Sequence, residues 1–521
     1  MANYIPYNLN QNTMVVINFA DQLQSGTFEY ALAYLIDRKI DLSRFDEGVS
    51  NDGGGRRAYD PAILLKIILF AYSKGITSSR EIMWCCETNI IFKALSCDSV
   101  PHFTTIASFV RNHSEAIEDL FSQVVLICEQ EGLIGRELFA IDGCKLSSNA
   151  AKEWSGTFKE LEQKRDKIKR LIQHHLQEDK AQKDQHTRDE KREQRSQQAV
   201  ETLNKAFDKI DHFLKTQSPR MGQAKRVKEV KSNITDNESA KMKTSKGTVQ
   251  GYNGIATVDK KHQVIVDAQA FGEGQEYHTL KPILSATRER FNQLGIERDI
   301  YKAGTIVTAD TGFANEANMA MLFNDKIDAY VPDSKFRERD TRFTYQKEKH
   351  GKRHQDKPKR DRQKAVIPST EFAFDPVTET CVCPTGQTLS HRGKRVTDSG
   401  RTKVYFEGRL SQCSACKKKN DCMRRPESAN HRKGNGRQVS FLVSDKPTYT
   451  DWMKARVDSD KGKHIYSHRM SVVEPVFGNI TVNKKLNRFS LRGKQKVNDQ
   501  WRLYCLVHNI EKLANYGEMA A

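Results

Sequence analysis

Three acidic residues stand where a fold could present metal-binding carboxylates. Asp142 ends the apolar run Leu138-Phe-Ala-Ile and precedes Gly143, and Asp310 ends the run Ile306-Val-Thr-Ala and precedes Thr-Gly. Each pattern predicts a buried strand whose carboxylate emerges at a turn. The third residue, Glu474, lies in Arg469-Met-Ser-Val-Val-Glu-Pro-Val-Phe-Gly478. Three such carboxylates could hold two Mg²⁺ ions, which activate the attacking oxygen and stabilise the leaving oxygen at a phosphodiester.

Each carboxylate also has an ordinary structural interpretation. Asp142 and Asp310 could be turn or cap residues, and Glu474 could form an ion pair with Arg469. Because Pro475 follows Glu474 directly and a helix interior resists proline, we expect Glu474 near a helix start or a kink. The three residues taken together favour the metal-binding interpretation.

The charge of the chain favours a polyanionic partner. Its 85 Lys and Arg residues against 66 Asp and Glu residues leave a net charge of +19. Nucleic acid is the leading candidate, and a protein with solvated lysines is the alternative. The amino-terminal residues do not resemble a signal peptide and no apolar run could span a bilayer, so we expect a cytoplasmic protein without membrane contact. No glycine loop with the flanking strand and helix of a phosphate site suggests a nucleotide cofactor.

Helical patterns precede the Asp142 strand. Asp60-Pro61 provides an N-cap and a first-turn proline for a helix over 62–72, and two further helices are expected over 80–95 and 106–131. Three compact helices ahead of a catalytic core are typical of a helix-turn-helix DNA-binding unit. A plain helical domain that packs on the core is the alternative.

Two segments interrupt the rest of the chain. Residues 151–218 are charged and carry apolar positions at alternating three-four spacing, which predicts a coiled-coil hairpin with a polar tip at 177–198 and a role in assembly or DNA contact. Residues 335–364 mix Lys and Arg with Phe336, Phe343 and Tyr345. This composition suits contacts to phosphates and unstacked bases, or a solvated disordered loop.

The remaining elements alternate between strands and helices. Paired strands are expected over 251–258 and 263–270, a helix over 280–294, the Asp310 strand, a helix over 316–323 and a strand over 328–332. With the Asp142 strand in front and the Glu474 segment behind, this order predicts an α/β fold with a ribonuclease-H-like core of the retroviral-integrase type.

A cluster of cysteines lies between the two halves of this core. Cys381 and Cys383 precede a strand-like stretch, and Cys413, Cys416 and Cys422 follow it. Paired thiolates separated by two residues, such as Cys413 and Cys416, can reach one tetrahedral Zn²⁺ from a tight turn. We expect a structural Zn²⁺ held by Cys383, Cys413, Cys416 and Cys422 in a zinc-ribbon-like insertion, with Cys381 as a spare; reduced, unliganded cysteines are the alternative.

Five motifs in this order resemble bacterial insertion-sequence transposases of the DDE class, and the resemblance covers most of the chain. They are Pro101-His-Phe-Thr-Thr-Ile-Ala-Ser-Phe109 with Arg111, Gly251-Tyr-Asn253, Thr308-Ala-Asp-Thr-Gly-Phe313, Glu474-Pro-Val-Phe-Gly478 and Arg492-Gly493. The resemblance implies a catalytic triad of Asp142, Asp310 and Glu474 with two Mg²⁺ or Mn²⁺ ions. It also matches Tyr466 and Arg469 to the Tyr and Arg that such enzymes place before the Glu.

The carboxyl-terminal segment departs from the family in one respect. Many relatives carry a Lys about seven residues after the Glu, where this chain has Thr481. The expected DNA-binding residues are therefore drawn from the basic stretch around Glu474: Tyr466, Arg469, Lys484, Lys485, Arg488, Arg492 and Lys494.

The sequence thus predicts an enzyme that binds the terminal inverted repeats of an insertion sequence and cuts and joins DNA with Mg²⁺. The expected partners are double-stranded transposon-end and target DNA, and a homodimer or higher synaptic complex near the bacterial nucleoid. The alternatives are a transposase-derived DNA-binding protein that does not cut, and a Mg²⁺-dependent nuclease of the same fold. The expected domains are a helical DNA-binding domain at 1–135, the first part of the core at 136–150 and 219–334, the hairpin at 151–218, the basic and cysteine-rich insertion at 335–450, and the final part of the core at 451–521.

Overall fold

A computed structural model describes residues 16–47, 57–184, 190–222, 227–244, 247–343, 366–397, 401–443 and 447–518. The chain divides into two compact units. The first unit contains residues 1–305 and 470–521, and the second contains residues 306–469. Most of the predicted basic loop at 335–364 lies outside the described residues.

The amino-terminal part of the first unit is helical. Its helices are α1 (Phe28–Tyr34), α2 (Pro61–Ser73), α3 (Ser79–Thr88), α4 (Ile90–Ser96), α5 (Phe103–Asn112) and α6 (Ser114–Gln130). The prediction for α2 is confirmed: the Asp60 side chain accepts a hydrogen bond from the Ala62 amide, and Pro61 occupies the first turn.

The two longer predicted helices are each divided by one residue. Asn89 has an extended backbone and its side chain accepts from the amides of Ile91 and Phe92, so it ends α3 and caps α4. His113, at φ −113° and ψ 49°, separates α5 from α6. A continuous helix over 106–131 is therefore wrong.

An antiparallel sheet follows in the first unit. It contains β1 (Leu138–Ser147), β4 (Ala240–Thr244), β5 (Gly247–Asp259) and β6 (Ile265–Phe271), and a short separate pair is formed by β2 (Ser155–Gly156) and β3 (Ser232–Asn233). The long strand β5 pairs with β1 along one edge, and with β4 and then β6 along the other. Asp142 lies in the middle of β1 of this sheet, and the predicted β5–β6 pairing is confirmed.

Helices complete the first unit. The predicted hairpin is formed by α7 (Phe158–Asp184) and α8 (Glu190–Thr216), which bury Leu161, Ile168, Ile210 and Phe213 between them. The sheet is followed by α9 (Leu280–Gln293).

The second unit begins with β7 (Ile306–Ala309), which pairs in parallel with β8 (Ala329–Tyr330). Its other strands are β9 (Ala373–Asp375) with β10 (Thr380–Val382), and β11 (Ser390–Val396), β12 (Thr402–Glu407) and β13 (Gln438–Leu442) in a three-stranded antiparallel sheet. Its helices are α10 (Glu316–Asn324), α11 (Phe336–Arg339), α12 (Leu410–Ser414), α13 (Lys419–Cys422) and α14 (Tyr449–Asp458).

Two long helices end the chain. The boundary between the units falls inside α15 (Asp460–Gly478), and α16 (Lys494–Tyr516) belongs to the first unit. The fold is thus α/β, with a helical amino-terminal region and both antiparallel and parallel strand pairs. Among the described residues, no helix combines the length and apolar character needed to cross a bilayer.

Candidate active site

Asp142 lies in the middle of β1, where the burial changes. Residues 138–141 are fully buried, whereas Asp142 is half-buried. Its Oδ1 accepts a hydrogen bond of 2.8 Å from the Gly143 amide. The carboxylate therefore stands where a strand leaves the hydrophobic core and becomes accessible to a ligand.

Helix α16 covers the face of the sheet that carries Asp142. Asp142 is paired with Ala256 and Cys144 with Gly254, and positions two apart on a strand share a face. A Cβ on Gly254 would lie only 3.0 Å from the nearest indole carbon of Trp501, so the ring is packed directly on this face. Trp501 is fully buried and donates from Nε1 to the Ile255 carbonyl at 3.0 Å.

Glu474 lies in the last turns of α15, and its side chain is exposed. The expectation of a helix start is wrong, because α15 continues through Pro475 to Gly478. A short π-helical segment, Asn479–Asn483, follows. Phe477, on the same turn as Glu474, stacks on Trp501 with ring centroids 6.2 Å apart. The helix that carries Glu474 is thus joined to α16, which packs on the Asp142 face.

Asp310 belongs to the second unit, directly after β7. Its side chain is 40% exposed, and its Oδ1 lies 3.9 Å from Nη1 of Arg469. Arg469 is buried and contributes a positive charge beside this carboxylate. The ring of Tyr466, one turn earlier on α15, meets the edge of Phe336 at 5.4 Å. Asp310 and the two family-matched residues before Glu474 therefore lie together within this unit.

Two of the predicted DNA-binding arginines gather at the end of β1. Arg488 donates to the Ser148 carbonyl and to Asn149 Oδ1, and Arg492 donates to the Asn149 carbonyl at 2.8 Å. Both side chains are exposed, as are those of Lys485 and Lys494. The two arginines therefore lie at Ser148 and Asn149, six and seven residues after Asp142.

Lys484 differs from these residues because it is only 1% exposed. Its Nζ contacts Glu511 Oε2 at 2.5 Å, and Asn479 donates to the same oxygen at 2.8 Å. Burial lowers the pKa of this ammonium, although Glu511 opposes the shift. In this position the ammonium serves an internal ion pair, and its predicted DNA contact has no support.

The four predicted zinc ligands line one pocket of the second unit. Thr385 Oγ1 lies 3.0 Å from Cys383 Sγ and 4.0 Å from Cys416 Sγ. Burial raises the pKa of Cys383, but hydrogen bonds from Thr385 and neighbouring amides outweigh it and lower the pKa overall. Cys381 is instead fully buried in the adjacent hydrophobic core, and burial raises its pKa to about 11.

Throughout the part of the chain that the structure describes, no three His, Cys, Asp or Glu side chains are arranged closely enough to hold a metal ion. The cysteine thiols have the right chemistry for Zn²⁺, but their placement does not form a complete site. The three carboxylates offer the hard oxygen ligands that Mg²⁺ prefers.

Two regions of the chain match known protein families. Residues 382–514 match a transposase DDE domain, and residues 17–112 match a transposase domain described as DUF772. Two stretches of the chain are thus similar to transposase domains. The predicted resemblance to insertion-sequence DDE transposases is confirmed. No curated protein matches the chain.

The two family matches include some residues of the candidate site and leave out others. The transposase DDE domain includes Glu474, Tyr466, Arg469, the basic residues and the four pocket cysteines, whereas Asp142 and Asp310 lie outside it. The other match covers helices α1 to α5. Transposition of DNA is the activity that these families imply.

Trp501 and Gln263 were not predicted as neighbours of the Glu474 helix. Gln263 donates from Nε2 to the Ser471 carbonyl at 3.0 Å. The only available sequence signal was Pro475, which requires another donor for the carbonyl four residues earlier.

Proposed function

We propose that the protein is an active transposase that cuts and joins DNA at the ends of an insertion sequence. One observation carries the proposal: the transposase DDE domain match includes Glu474, exposed on a helix joined through Phe477 and Trp501 to the Asp142 face. The third carboxylate of the proposal is Asp310, which is 40% exposed beside Arg469 in the second unit.

The proposed core is of the ribonuclease-H-like type. Its support is the antiparallel β1, β5 and β6, the parallel β7–β8 pair and the helices that follow. Two Mg²⁺ ions bound by Asp142, Asp310 and Glu474 would supply the charge that activates the attacking oxygen and stabilises the leaving oxygen. In strand transfer the 3′-hydroxyl of the element attacks a phosphorus of the target strand. A new P–O bond forms, and the 3′-oxygen of the target strand leaves.

DNA contact is assigned to the exposed basic residues. Arg488 donates to the Ser148 carbonyl and to Asn149 Oδ1, and Arg492 donates to the Asn149 carbonyl, and these bonds orient both guanidinium groups. Lys485 and Lys494 are exposed nearby in sequence. Tyr466 and the buried Arg469 are included only because of their family match, and Lys484 is omitted because it is buried in an ion pair with Glu511. We assign the helices of 17–112 to recognition of the terminal repeats in a dimeric or larger synapse in the cytoplasm.

Zinc binding by Cys383, Cys413, Cys416 and Cys422 is a separate proposal. Its support is that the four residues line one pocket and that Thr385 bridges two of them. Because the thiols do not form a complete site as placed, binding must draw them together, which couples metal affinity to the local fold.

The test is cleavage and strand transfer on DNA that carries the element's own ends, with Mg²⁺. Asp142→Ala, Asp310→Ala and Glu474→Ala should each bind the ends and make no joined product. Glu137→Ala and Asp325→Ala are matched controls, since both carboxylates are exposed and lie close in sequence to β1 and α10.

Each outcome separates the alternatives. Joined product that disappears only in the three variants supports the transposase. Binding without cleavage by the native chain favours a DNA-binding protein derived from a transposase. Hydrolysis without joining favours a nuclease, and full activity in the three variants would refute the assigned site.

A further inference from the structure

A second concentration of positive charge lies in the second unit, away in sequence from the residues assigned to DNA above. Residues 417–433 contain seven Lys and Arg residues and two acidic residues, a net charge of +5 (7 − 2). Residues 417–433 therefore carry +5 of the chain's net charge of +19. Six of the cations have exposed side chains: Lys417, Lys418, Arg424, Arg425, Arg432 and Lys433. We call these six residues the cationic surface.

The cations of this surface are not neutralised. None of the six forms an ion pair with any carboxylate among the residues that the structure describes. By contrast, exposed lysines of the first unit are paired, such as Lys215 with Asp211 and Lys231 with Glu160. Unpaired cations in close proximity repel one another, which favours a polyanion as their counterpart.

The six cations lie in three short segments, 417–418, 424–425 and 432–433. Local hydrogen bonds connect the residues around these segments. Lys419, which follows Lys417 and Lys418, donates from Nζ to Asn430 Oδ1 at 2.7 Å. The amide of Asn435 donates to Ser428 Oγ at 3.0 Å and closes the loop that carries Arg432 and Lys433.

That loop has a fixed shape. A Cβ on Gly434 would fall 1.6 Å from the Ser428 carbonyl oxygen, so the close approach requires glycine. The cations are consequently presented by an ordered loop rather than by a freely moving chain.

An open cleft lies beside two of the six cations. Arg424 and Arg425 line it together with Ser428, Asn435 and Gln438. Arginine forks and neutral hydrogen-bond donors are the groups that proteins direct at phosphate oxygens. Two adjacent arginines at the cleft, with four more exposed cations within residues 417–433, favour an extended polyanion over a single small anion.

The aromatic residues nearby are turned inward. Phe374, Phe406 and Phe441 pack on one another within the core of this unit, with centroid distances of 4.5 to 6.1 Å. Binding of single strands relies on aromatic side chains that stack on bases. Residues 417–433 contain no Phe, Tyr or Trp and one exposed ring, that of His431, so the exposed cations fit the backbone of a duplex better than unstacked bases.

We propose that the cationic surface binds the phosphate backbone of duplex DNA, as a contact additional to the residues around Glu474. It rests on the proposed function only in that DNA is the partner. It requires neither cleavage nor a bound metal ion, so it can be tested apart from them.

The test compares two variants that lose the same charge. The first carries Arg424→Gln, Arg425→Gln, Arg432→Gln and Lys433→Gln. The control carries Lys215→Gln, Lys231→Gln, Lys260→Gln and Lys302→Gln, whose ammonium groups each lie beside a carboxylate. Affinity for a random-sequence duplex is measured by fluorescence anisotropy across a KCl titration in EDTA, so that no cleavage occurs.

Loss of four phosphate contacts should flatten the slope of log affinity against log salt by roughly 2 to 4, because each contact contributes about 0.9. The control should change the slope far less. Equal slopes in the two variants would overturn the proposal, since net charge alone would then explain the effect. So would a first variant that keeps duplex binding but loses binding to single-stranded RNA or to vesicles of anionic lipid.

A smaller variant guards against misfolding. Arg432→Glu with Lys433→Glu changes two exposed loop residues only, and should weaken duplex binding with an unchanged circular dichroism spectrum and melting temperature. A folded double variant with native affinity would also overturn the proposal. If cleavage fails in every protein but the slopes differ as expected, the proposed function is wrong and the DNA contact stands.

Discussion

Gln263 supplies the hydrogen bond that Pro475 cannot give to Ser471. In an uninterrupted helix the amide of residue 475 would donate to the carbonyl of residue 471, and proline has no amide hydrogen. The side chain of Gln263 donates to that carbonyl at 3.0 Å from the turn between β5 and β6. Lys512 in turn holds the Gln263 Oε1 at 3.1 Å. A proline next to Glu474 is thereby tolerated inside a helix.

A double-mutant cycle should detect this substitution of one donor for another. Gln263→Ala leaves the Ser471 carbonyl with one donor fewer, and we expect it to lower the free energy of unfolding by about 1 kcal/mol. Pro475→Ala restores the helical amide, so Gln263→Ala should cost less in that background. Urea denaturation of the four proteins measures the coupling. Additive effects would show that the two residues act independently.

Gly254 is required by the close packing of Trp501 on the sheet. In Gly254→Ala the new methyl group would lie 3.0 to 3.2 Å from three indole carbons, so the ring and the stacked Phe477 must move. We expect a loss of about 1 to 3 kcal/mol of stability, and a lower cleavage rate at saturating DNA because Glu474 shares the helix of Phe477. The control is Gly478→Ala, where a Cβ meets open space. Native cleavage in Gly254→Ala would contradict the positioning role of Trp501.

Local sequence signals predicted the elements that depend on neighbouring residues. Asp60 and Pro61 fix the start of α2, and alternation fixes β5 and β6. The divisions at Asn89 and His113 were missed because apolar periodicity continues across both residues. At Asn89 a side-chain cap begins the next helix without breaking that pattern, and at His113 the backbone alone leaves the helical conformation.

The site was predicted less completely, because its contacts join residues distant in sequence. The position of Glu474 within a helix depends on Gln263, which no rule of local propensity connects to Pro475. The burial of Lys484 depends on Glu511 in the same way. A basic stretch read from sequence cannot distinguish a lysine that faces solvent from one that neutralises an internal carboxylate.

His508 should make stability depend on pH. Burial lowers its pKa from 6.5 to about 3, while the bond to the Gln263 carbonyl opposes the shift. Between these values the unfolded chain holds a proton that the folded chain does not, so stability falls as pH falls below about 6.5, by about 1.4 kcal/mol per unit. In His508→Gln the pH dependence of urea denaturation between pH 6.5 and 4 should be shallower. The exposed His174→Gln should keep the native slope.

The cysteine pocket should contain Zn²⁺ in the purified protein. We expect about one equivalent by elemental analysis, lost in Cys416→Ser and in Cys422→Ser because a tetrahedral site needs all four thiolates. Cys381→Ser is the matched control, since Cys381 lies in the neighbouring core. Protein that holds no zinc after expression with added metal, or a native zinc content in Cys416→Ser, would leave the pocket as a set of reduced thiols.

Substitution of Lys484 should affect mainly stability, whereas substitution of Lys494 should affect mainly DNA binding. Lys484→Ala leaves Glu511 without its ammonium partner, and because that carboxylate is 28% exposed we expect a loss of about 2 kcal/mol, below the cost for a fully buried pair. Its salt slope for DNA binding should remain native. Lys494→Ala removes an exposed cation whose Nζ lies over the Phe271 ring, and should flatten the slope by about 0.9 with little loss of stability. If Lys484→Ala instead flattens the slope at native stability, the buried ion pair does not persist in solution and Lys484 returns to the DNA-binding residues.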